Sequence, residues 1–413
     1  MRTAIFKPAN ELVGFLLQEA VNRIDEAYQP KPGEQFKGRA SRQIQGMFGS
    51  FPLLRDYYYH PGKEQGHCPA DALLGLEGAC TPALNRLICL EGADQSSYQQ
   101  AEKHLKETGG IEVSARQIQR VVQRVGAGAQ AWQERSAQPG GCDAPIMYVS
   151  ADATGVPMRT EELVGRAGKQ EDGTAKTRSA YLGCVFTQHK CDEKGRPVRD
   201  YESTTYVSSM GPLEDFGPTL RQEAIRRGMG QVQQVVLLID GAPGLENMGR
   251  LNFSHALQIV DFYHAVEHAG EVLNALLGSK THPDYKARRS RWVKRLLRNG
   301  VDNLVKETRQ ECVGKPQAQA VEKELGYFIN NLDRMKYGTF RKQGFFIGSG
   351  VIEAGCKTVI GSRCKQSGMF WGEPGAQNIL ALRCVNSSRR LADFWKSRLN
   401  DLAARYDPLP RAA

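Results

Sequence analysis

The chain predicts an α/β fold: a mixed five-stranded sheet with flanking helices, interrupted by an all-helical segment and preceded by a helical N-terminal region. Three observations predict it. Apolar runs at Ile146–Ser150 and Val235–Ile239 each deliver an aspartate, Asp152 and Asp240, and read as buried strands. Between them, Ser179–Thr187 and Tyr201–Ser209 have the composition of two antiparallel neighbours, followed by a helix over roughly 213–227. After a fifth short strand, Ala256–Val260, residues from about 261 to 336 read as helix with few breaks.

In chain order, residues 1–92 form an N-terminal region. A helix over 10–30 puts Leu12, Phe15, Leu16, Ala20 and Ile24 on one face and ends at Pro30-Lys-Pro-Gly33. A loop-rich stretch with room for strands follows, and its His60, His67 and Cys68 match no structural zinc spacing. Residues 93–138 predict a helix-turn-helix. Tyr98–Lys106 is its first helix, Thr108-Gly-Gly110 its turn, and Ser114 caps the second helix with Gln117 completing a capping box. Ile118, Val121, Val122 and Val125 give an apolar stripe. Arg116, Gln117, Gln119, Arg120, Gln123 and Arg124 are side chains of the kind that contact bases and phosphates. A plain αα-hairpin is the alternative.

After the linker Gln138-Pro-Gly-Gly141 come residues 142–268, the first part of a catalytic core, then a helical insertion at 269–340. Residues 341–400 complete the core and add basic C-terminal helices. Three strands, a helix, a strand, then alternating β and α is the order of a ribonuclease-H-like fold. Its acids sit on the first strand, just after the fourth, and on a late helix. Those slots fall to Asp152, Asp240 and Glu353, the last in Gly348-Ser-Gly-Val-Ile-Glu353.

The formal net charge is +10, and it is concentrated. From Lys280 to Arg298 eight Lys/Arg face the single acid Asp284, and from Arg334 to Arg398 twelve face three. The C-terminal third is therefore suited to a polyanion. Arg289, Arg291 and Lys294 in the first run, with Lys357, Arg363 and Lys365 in the second, are the candidate phosphate contacts. Trp371, framed by Gly368 and Gly372, is the candidate for base stacking. No apolar h-region follows Met1, no stretch nears the roughly 20 apolar residues of a membrane span, and the 10 cysteines include no Cys-x-x-Cys pair. These features predict a cytoplasmic, nucleoid-associated protein with reduced thiols and no membrane partner.

Buried carboxylates need compensation. Three of them converging could hold two Mg²⁺ (or Mn²⁺) ions roughly 3.5–4 Å apart, the arrangement that cuts and joins phosphodiester bonds. Each acid also has an ordinary reading. Asp152 and Asp240 could cap turns beside Gly155 and Gly241, and Glu353 could favour a helix start with Lys357 as its i+4 partner. His264-Ala-Val-Glu-His268 fits the H-x-x-E-H pattern of a zinc protease acting through His264, Glu267 and His268. That pattern explains neither the basic C-terminus nor the helix-turn-helix.

In sum of its blocks the chain resembles the ISKra-type DDE transposases of bacterial insertion sequences, over roughly residues 50–400. The matching stretches include Asp152-Ala-Thr-Gly-Val-Pro-Met158, Arg199-Asp-Tyr-Glu-Ser-Thr-Thr-Tyr-Val207 and Leu238-Ile-Asp-Gly-Ala242. Ile259-Val-Asp-Phe-Tyr-His-Ala-Val-Glu-His268, Ile347-Gly-Ser-Gly-Val-Ile-Glu353 and Lys365-Gln-Ser-Gly-Met-Phe-Trp371 follow in order. The resemblance implies a metal-dependent DNA strand-transfer enzyme with Asp152, Asp240 and Glu353 as triad. It also implies recognition of terminal inverted repeats in double-stranded DNA, and assembly as a homodimer or higher oligomer on paired ends. His264 is expected to position the scissile phosphate or stabilise charge. A catalytically silent, repurposed DNA-binding protein on the same fold is the alternative.

Overall fold

The computed structural model describes residues 2–62, 66–135, 138–168, 170 and 173–404. The chain divides into two compact units, Met1–Trp132 with Arg389–Ala413, and Gln133–Ser388.

In the first unit, helix α1 (Arg2–Ala27) packs on an antiparallel hairpin of β1 (Gln35–Gln45) and β2 (Ser50–Tyr59). The buried stripe of α1 is Val13, Leu17, Val21 and Ile24, set against Ile44, Phe51 and Leu53. The expected face is corrected: Leu12, Phe15 and Leu16 point to solvent. The helix carries two apolar stripes, and the hairpin takes the one through Val13, Leu17 and Val21. Short α2 (Pro69–Leu73) leads to α3 (Pro82–Asp94), whose N-cap Thr81 accepts from the Leu84 N–H.

The two helices expected at 98–126 are present as α4 (Tyr98–His104) and α5 (Ala115–Glu134). A π-helical turn, Leu105–Gly109, and Gly110 with φ 64° join them. Ser114 Oγ accepts from the Gln117 N–H at 3.3 Å. Ile118, Val121, Val122 and Val125 are buried. The backbone of α3 approaches closely at Gly92, where a Cβ would lie 2.6 Å from Val122. The last helix, Leu391–Ala404, is tied to this unit by Arg398, which donates to both oxygens of Glu77 at 2.8 and 2.7 Å.

The second unit is built on the mixed sheet. Its strands are β3 (Ile146–Pro157), β4 (Thr177–Gln188), β7 (Thr205–Ser209), β8 (Gln234–Ile239) and β9 (Leu257–Val260). A small hairpin of β5 (Lys190–Cys191) and β6 (Pro197–Val198) follows β4. The order is β7-β4-β3-β8-β9. The β4 strand runs antiparallel to β3 and β7, while β3, β8 and β9 run parallel. This topology is consistent with a ribonuclease-H-like core. The expected strand at 201–209 is shorter, because Tyr201–Ser203 forms a 3₁₀ turn.

Side-chain alternation divides the sheet cleanly. Met147, Val149 and Ala151 of β3, with Leu237 and Ile239 of β8, pack under α6 (Leu213–Arg226) and α7 (Pro243–Asn252) through Phe216, Leu220, Leu245 and Met248. The other face is covered by a later segment. From β9 the chain passes through α8 (Phe262–Leu277), α9 (Tyr285–Leu296), α10 (Val301–Cys312), α11 (Ala318–Asn330) and α12 (Tyr337–Lys342). It returns as α13 (Gly350–Gly355), a π-helical turn (Cys356–Gly361), α14 (Ser362–Cys364) and α15 (Glu373–Ser387). Among the described residues no helix is long and apolar enough to cross a membrane.

Candidate active site

The parallel strands bring three aspartates into one row. Ala151 pairs with Ile239, and Ile239 with Val260. The next residues on the three strands are Asp152, Asp240 and Asp261. Because Ala151 and Ile239 face the α6/α7 layer, the alternation turns Asp152 and Asp240 to the opposite face. The strand did not stop at its acid as the apolar run suggested. It continues through Asp152, paired with Leu182, to Pro157 on β4 alone.

Glu353 reaches the same face on α13. A Cβ on Gly355 would lie 2.7 Å from Tyr206 and 3.0 Å from Leu182, so glycine is what lets this helix lie against the sheet. Leu182 is the residue opposite Asp152. One turn after Glu353, burial and then the nearby Asp152 carboxylate push the Cys356 thiol well up, which puts Cys356 beside Asp152. The helix changes to π geometry at that residue, a departure frequent at functional sites.

Each of the three acids accepts a local hydrogen bond. Asp152 Oδ1 accepts from the Ala153 N–H at 2.7 Å, Asp240 Oδ1 from the Ala242 N–H at 3.0 Å, and Glu353 Oε1 from the Ser349 hydroxyl at 3.0 Å. The donor set is all carboxylate oxygen, which suits a hard cation such as Mg²⁺ that keeps much of its water. Among the described residues no group of three or more His, Cys, Asp or Glu is drawn around a common point. The acids share a face and neighbouring positions without forming a closed cage.

Asp261, which follows the fifth strand, organises this edge. It is completely buried. Its Oδ1 accepts from the His264 backbone N–H at 2.7 Å and lies 3.2 Å from His264 Nδ1. Its Oδ2 accepts from the Ser349 N–H. Asp261 thus holds Ser349, and Ser349 holds Glu353. Burial alone would raise the Asp261 carboxyl, but hydrogen bonds from His264 and Ser349 bring it below its ordinary value. The hydrogen bond to Asp261 raises His264 to about 9 against the cost of burial, with the charges of Asp261, Asp240 and Glu267 adding to it. His264 is therefore an imidazolium at neutral pH, within the field of Asp240.

Helix α11 closes the other side. A Cβ on Gly241 would lie 2.5 Å from the Tyr327 ring. Tyr327 stacks on His268 with centroids 3.6 Å apart. Burial lowers His268. The zinc-protease reading is corrected: one histidine is committed as a cation to Asp261 and the other is stacked in packing, so the pair presents no shared zinc site.

The phosphate-binding expectations divide. Lys365 Nζ donates to Thr154 Oγ1, two residues along β3 from Asp152 and on the same face. Lys357, Arg289 and Lys294 are exposed. Arg291 is exposed but faces Glu307 at 3.4 Å, and its neighbours Arg288 and Arg295 pair with Glu311 and Glu307. Much of the first basic run is thus neutralised within the fold. Arg363 is corrected outright, being fully buried with its guanidinium 5.1 Å from the Trp371 ring centroid. Trp371 is corrected with it. It is 7% exposed, donates Nε1–H to the Cys364 carbonyl at 3.1 Å, and bridges to the end of β3 through its backbone. That bridge turns Trp371 inward and leaves its neighbour Phe370 61% exposed.

On α5, Arg116 and Arg120 are exposed. Gln117 instead donates to Gln45 at 3.2 Å, and Arg124 to the Glu77 carbonyl at 3.2 Å. Those two serve packing within the first unit.

No protein-family model matches the chain, and no curated protein matches it. Among solved structures, one described as a Drosophila P element transposase strand transfer complex aligns with 80% of this chain and 83% of that chain. The identity is 11% and the TM-score 0.24, a likeness too slight to assign chemistry.

Proposed function

We propose that the chain is a DNA transposase of the ISKra type, cutting at the ends of an insertion sequence and joining the freed 3′ end to target DNA. The observation that carries this reading is the row of Asp152 and Asp240 on paired parallel strands, with Glu353 on a helix packed over the same face. Two Mg²⁺ (or Mn²⁺) ions bound by Asp152, Asp240 and Glu353 would supply activation of the attacking oxygen and neutralisation of the leaving one.

The chain's own groups do the positioning. Asp261 fixes Ser349, whose hydroxyl orients Glu353. The His264 imidazolium sets a positive charge beside Asp240, where it can hold a scissile phosphate and stabilise charge developing on its oxygens. Lys365 does the same beside Thr154. Arg116, Arg120, Arg289, Lys294 and Lys357 are exposed cations available to the backbone of double-stranded DNA, the contacts that fix register rather than read sequence. Two or more copies would pair the element ends.

The test is nicking of duplex DNA bearing the inverted repeats that flank the gene, in Mg²⁺. Asp240→Asn should abolish nicking and leave DNA binding intact. Retained nicking would remove Asp240 from the mechanism. The second reading, a repurposed DNA-binding protein, draws on the acids' not being gathered around one point. It requires that the wild type bind these ends and never cut them.

A further inference from the structure

Away from the acids, the second unit has a cavity of about 530 Å³ lined by Lys194, Arg196, Arg298, Arg341 and Lys342, with no acidic residue in its wall. All five cations are exposed. They come from three separate segments: the β5–β6 hairpin, the end of α9 and the end of α12. Such convergence distinguishes the cavity from a solvated face of one helix.

The walls are held in place by bonds that leave most of the cations free. Asn299, at φ 59°, donates to Thr339 Oγ1 at 2.8 Å and accepts from the Gly338 N–H at 2.7 Å. This fastens the α9 end carrying Arg298 to the start of α12. In the hairpin, Asp192 accepts from the backbone N–H of Lys194 and of Arg196, both at 2.9 Å, and from Arg196 Nε at 2.7 Å. The tip is thereby a fixed turn with Lys194 at its apex. Lys194, Arg298, Arg341 and Lys342 have no carboxylate partner among the described residues. Like charges gathered on a pre-organised concave surface repel one another unless an anion joins them.

We propose that this cavity is a dedicated binding site for the phosphodiester backbone of duplex DNA. An array of Arg and Lys from three segments, with no acid in its lining, suits successive phosphates. Its position relative to the acids is set by the sheet. Gln188, at the foot of the hairpin, donates to the Gly344 carbonyl at 2.9 Å just beyond α12. Gln188 stands opposite Ile146, and Leu182 opposite Asp152. Six residues of strand separate them, roughly 20 Å. That is about six base pairs of duplex at 3.4 Å per step, so the site would grip the backbone about half a helical turn from the reacting phosphate. Only this spacing rests on the transposase reading; the binding site itself does not.

The experiment measures affinity of the full chain for a ~30-base-pair duplex by fluorescence anisotropy in EDTA, from about 50 to 200 mM salt. Cutting plays no part in the readout. The variant Arg298→Gln/Arg341→Gln/Lys342→Gln should weaken binding by about tenfold or more at the low-salt end. It should also flatten the slope of log K against log salt by about 2 to 3. The charge-matched control Lys306→Gln/Lys315→Gln/Lys323→Gln, on other exposed positions of the same unit, should change both far less. Wild-type affinity and slope in the first variant would overturn the proposal, as would an equal loss in the control. So would loss of inorganic triphosphate binding with duplex binding unchanged, which would make the cavity a site for free polyphosphate. Unaltered circular dichroism and thermal midpoints keep a folding defect from imitating the expected result.

Discussion

Replacing Asp261 by Asn removes one negative charge from a side chain with no solvent exposure and changes almost nothing in volume. Asn can still accept from the His264 backbone N–H through its oxygen. Its amide nitrogen then faces the Ser349 N–H, donor against donor, and that buried N–H loses its acceptor at a cost of about 1–3 kcal/mol. The larger effect is on His264. With its partner neutral, the imidazole should fall from about 9 to its ordinary 6.5 or below, since what remains is chiefly burial. At pH 8 the protonated fraction would drop from about 90% to about 3%.

The corresponding stability has a definite sign. His264 is raised in the folded protein, so its contribution is complete below about pH 6.5 and is lost as pH rises through about 9. A rise of that size corresponds to at most ~3.4 kcal/mol. The His264 side chain is 34% exposed, and screening reduces the figure to ~1–2 kcal/mol. The assay is a heteronuclear NMR titration of the histidine rings, with His264→Gln assigning the resonance. A His264 that titrates near 9 in the Asp261→Asn protein, or near 6.5 in the wild type, would refute the assignment of Asp261 as its counter-ion.

Gly355→Ala should displace α13, because the new methyl would meet Tyr206 at 2.7 Å. A loss of about 1–3 kcal/mol in chemical denaturation should result and, on the proposed function, a fall in nicking with unchanged DNA affinity; unchanged stability and nicking would show that the helix has slack. Trp371→Ala should cost about 3–5 kcal/mol in thermal or urea unfolding, whereas Phe370→Ala, at an exposed ring, should leave stability unchanged. The opposite order would mean that the buried Trp371 ring is not what anchors that segment.

The strands, and the placement of Asp152 and Asp240 relative to them, are legible because a buried parallel strand writes itself as a short apolar run, and Val235–Ile239 before Asp240 is such a run. The position of Asp261 is legible in the same way, since Ile259-Val260 repeats the pattern, yet nothing in the sequence tells that this acid spends both oxygens on the fold. The burial of Arg363 and Trp371 is not written in the sequence, for one reason. Charge and glycine framing describe a residue's neighbours along the chain, whereas their burial follows from a backbone bridge to Pro157 and Met158, more than 200 residues away. Of the two apolar stripes on α1, sequence could not say which would be covered. The convergence of the cavity cations is not legible because they are scattered over 149 positions from Lys194 to Lys342, although Arg298, Arg341 and Lys342 fall in the two basic runs.

The chain leaves the sheet and comes back to it at a single doorway. The Phe262 N–H donates to the Ile347 carbonyl at 2.9 Å, one step from the Asp261–Ser349 bond. Everything between is an annex whose entrance and exit share a frame, so Glu353 is registered against the aspartates by the frame and not by the length of corridor behind it. Doubling such an excursion would add only ~0.6 kcal/mol of closure entropy. The outer helices α9 and α10 can therefore lengthen, shorten or exchange their surface while the acids stay where they are, provided Tyr327 keeps its place against Gly241. Diversity in what the protein grips and constancy in what it does to it can coexist in one polypeptide.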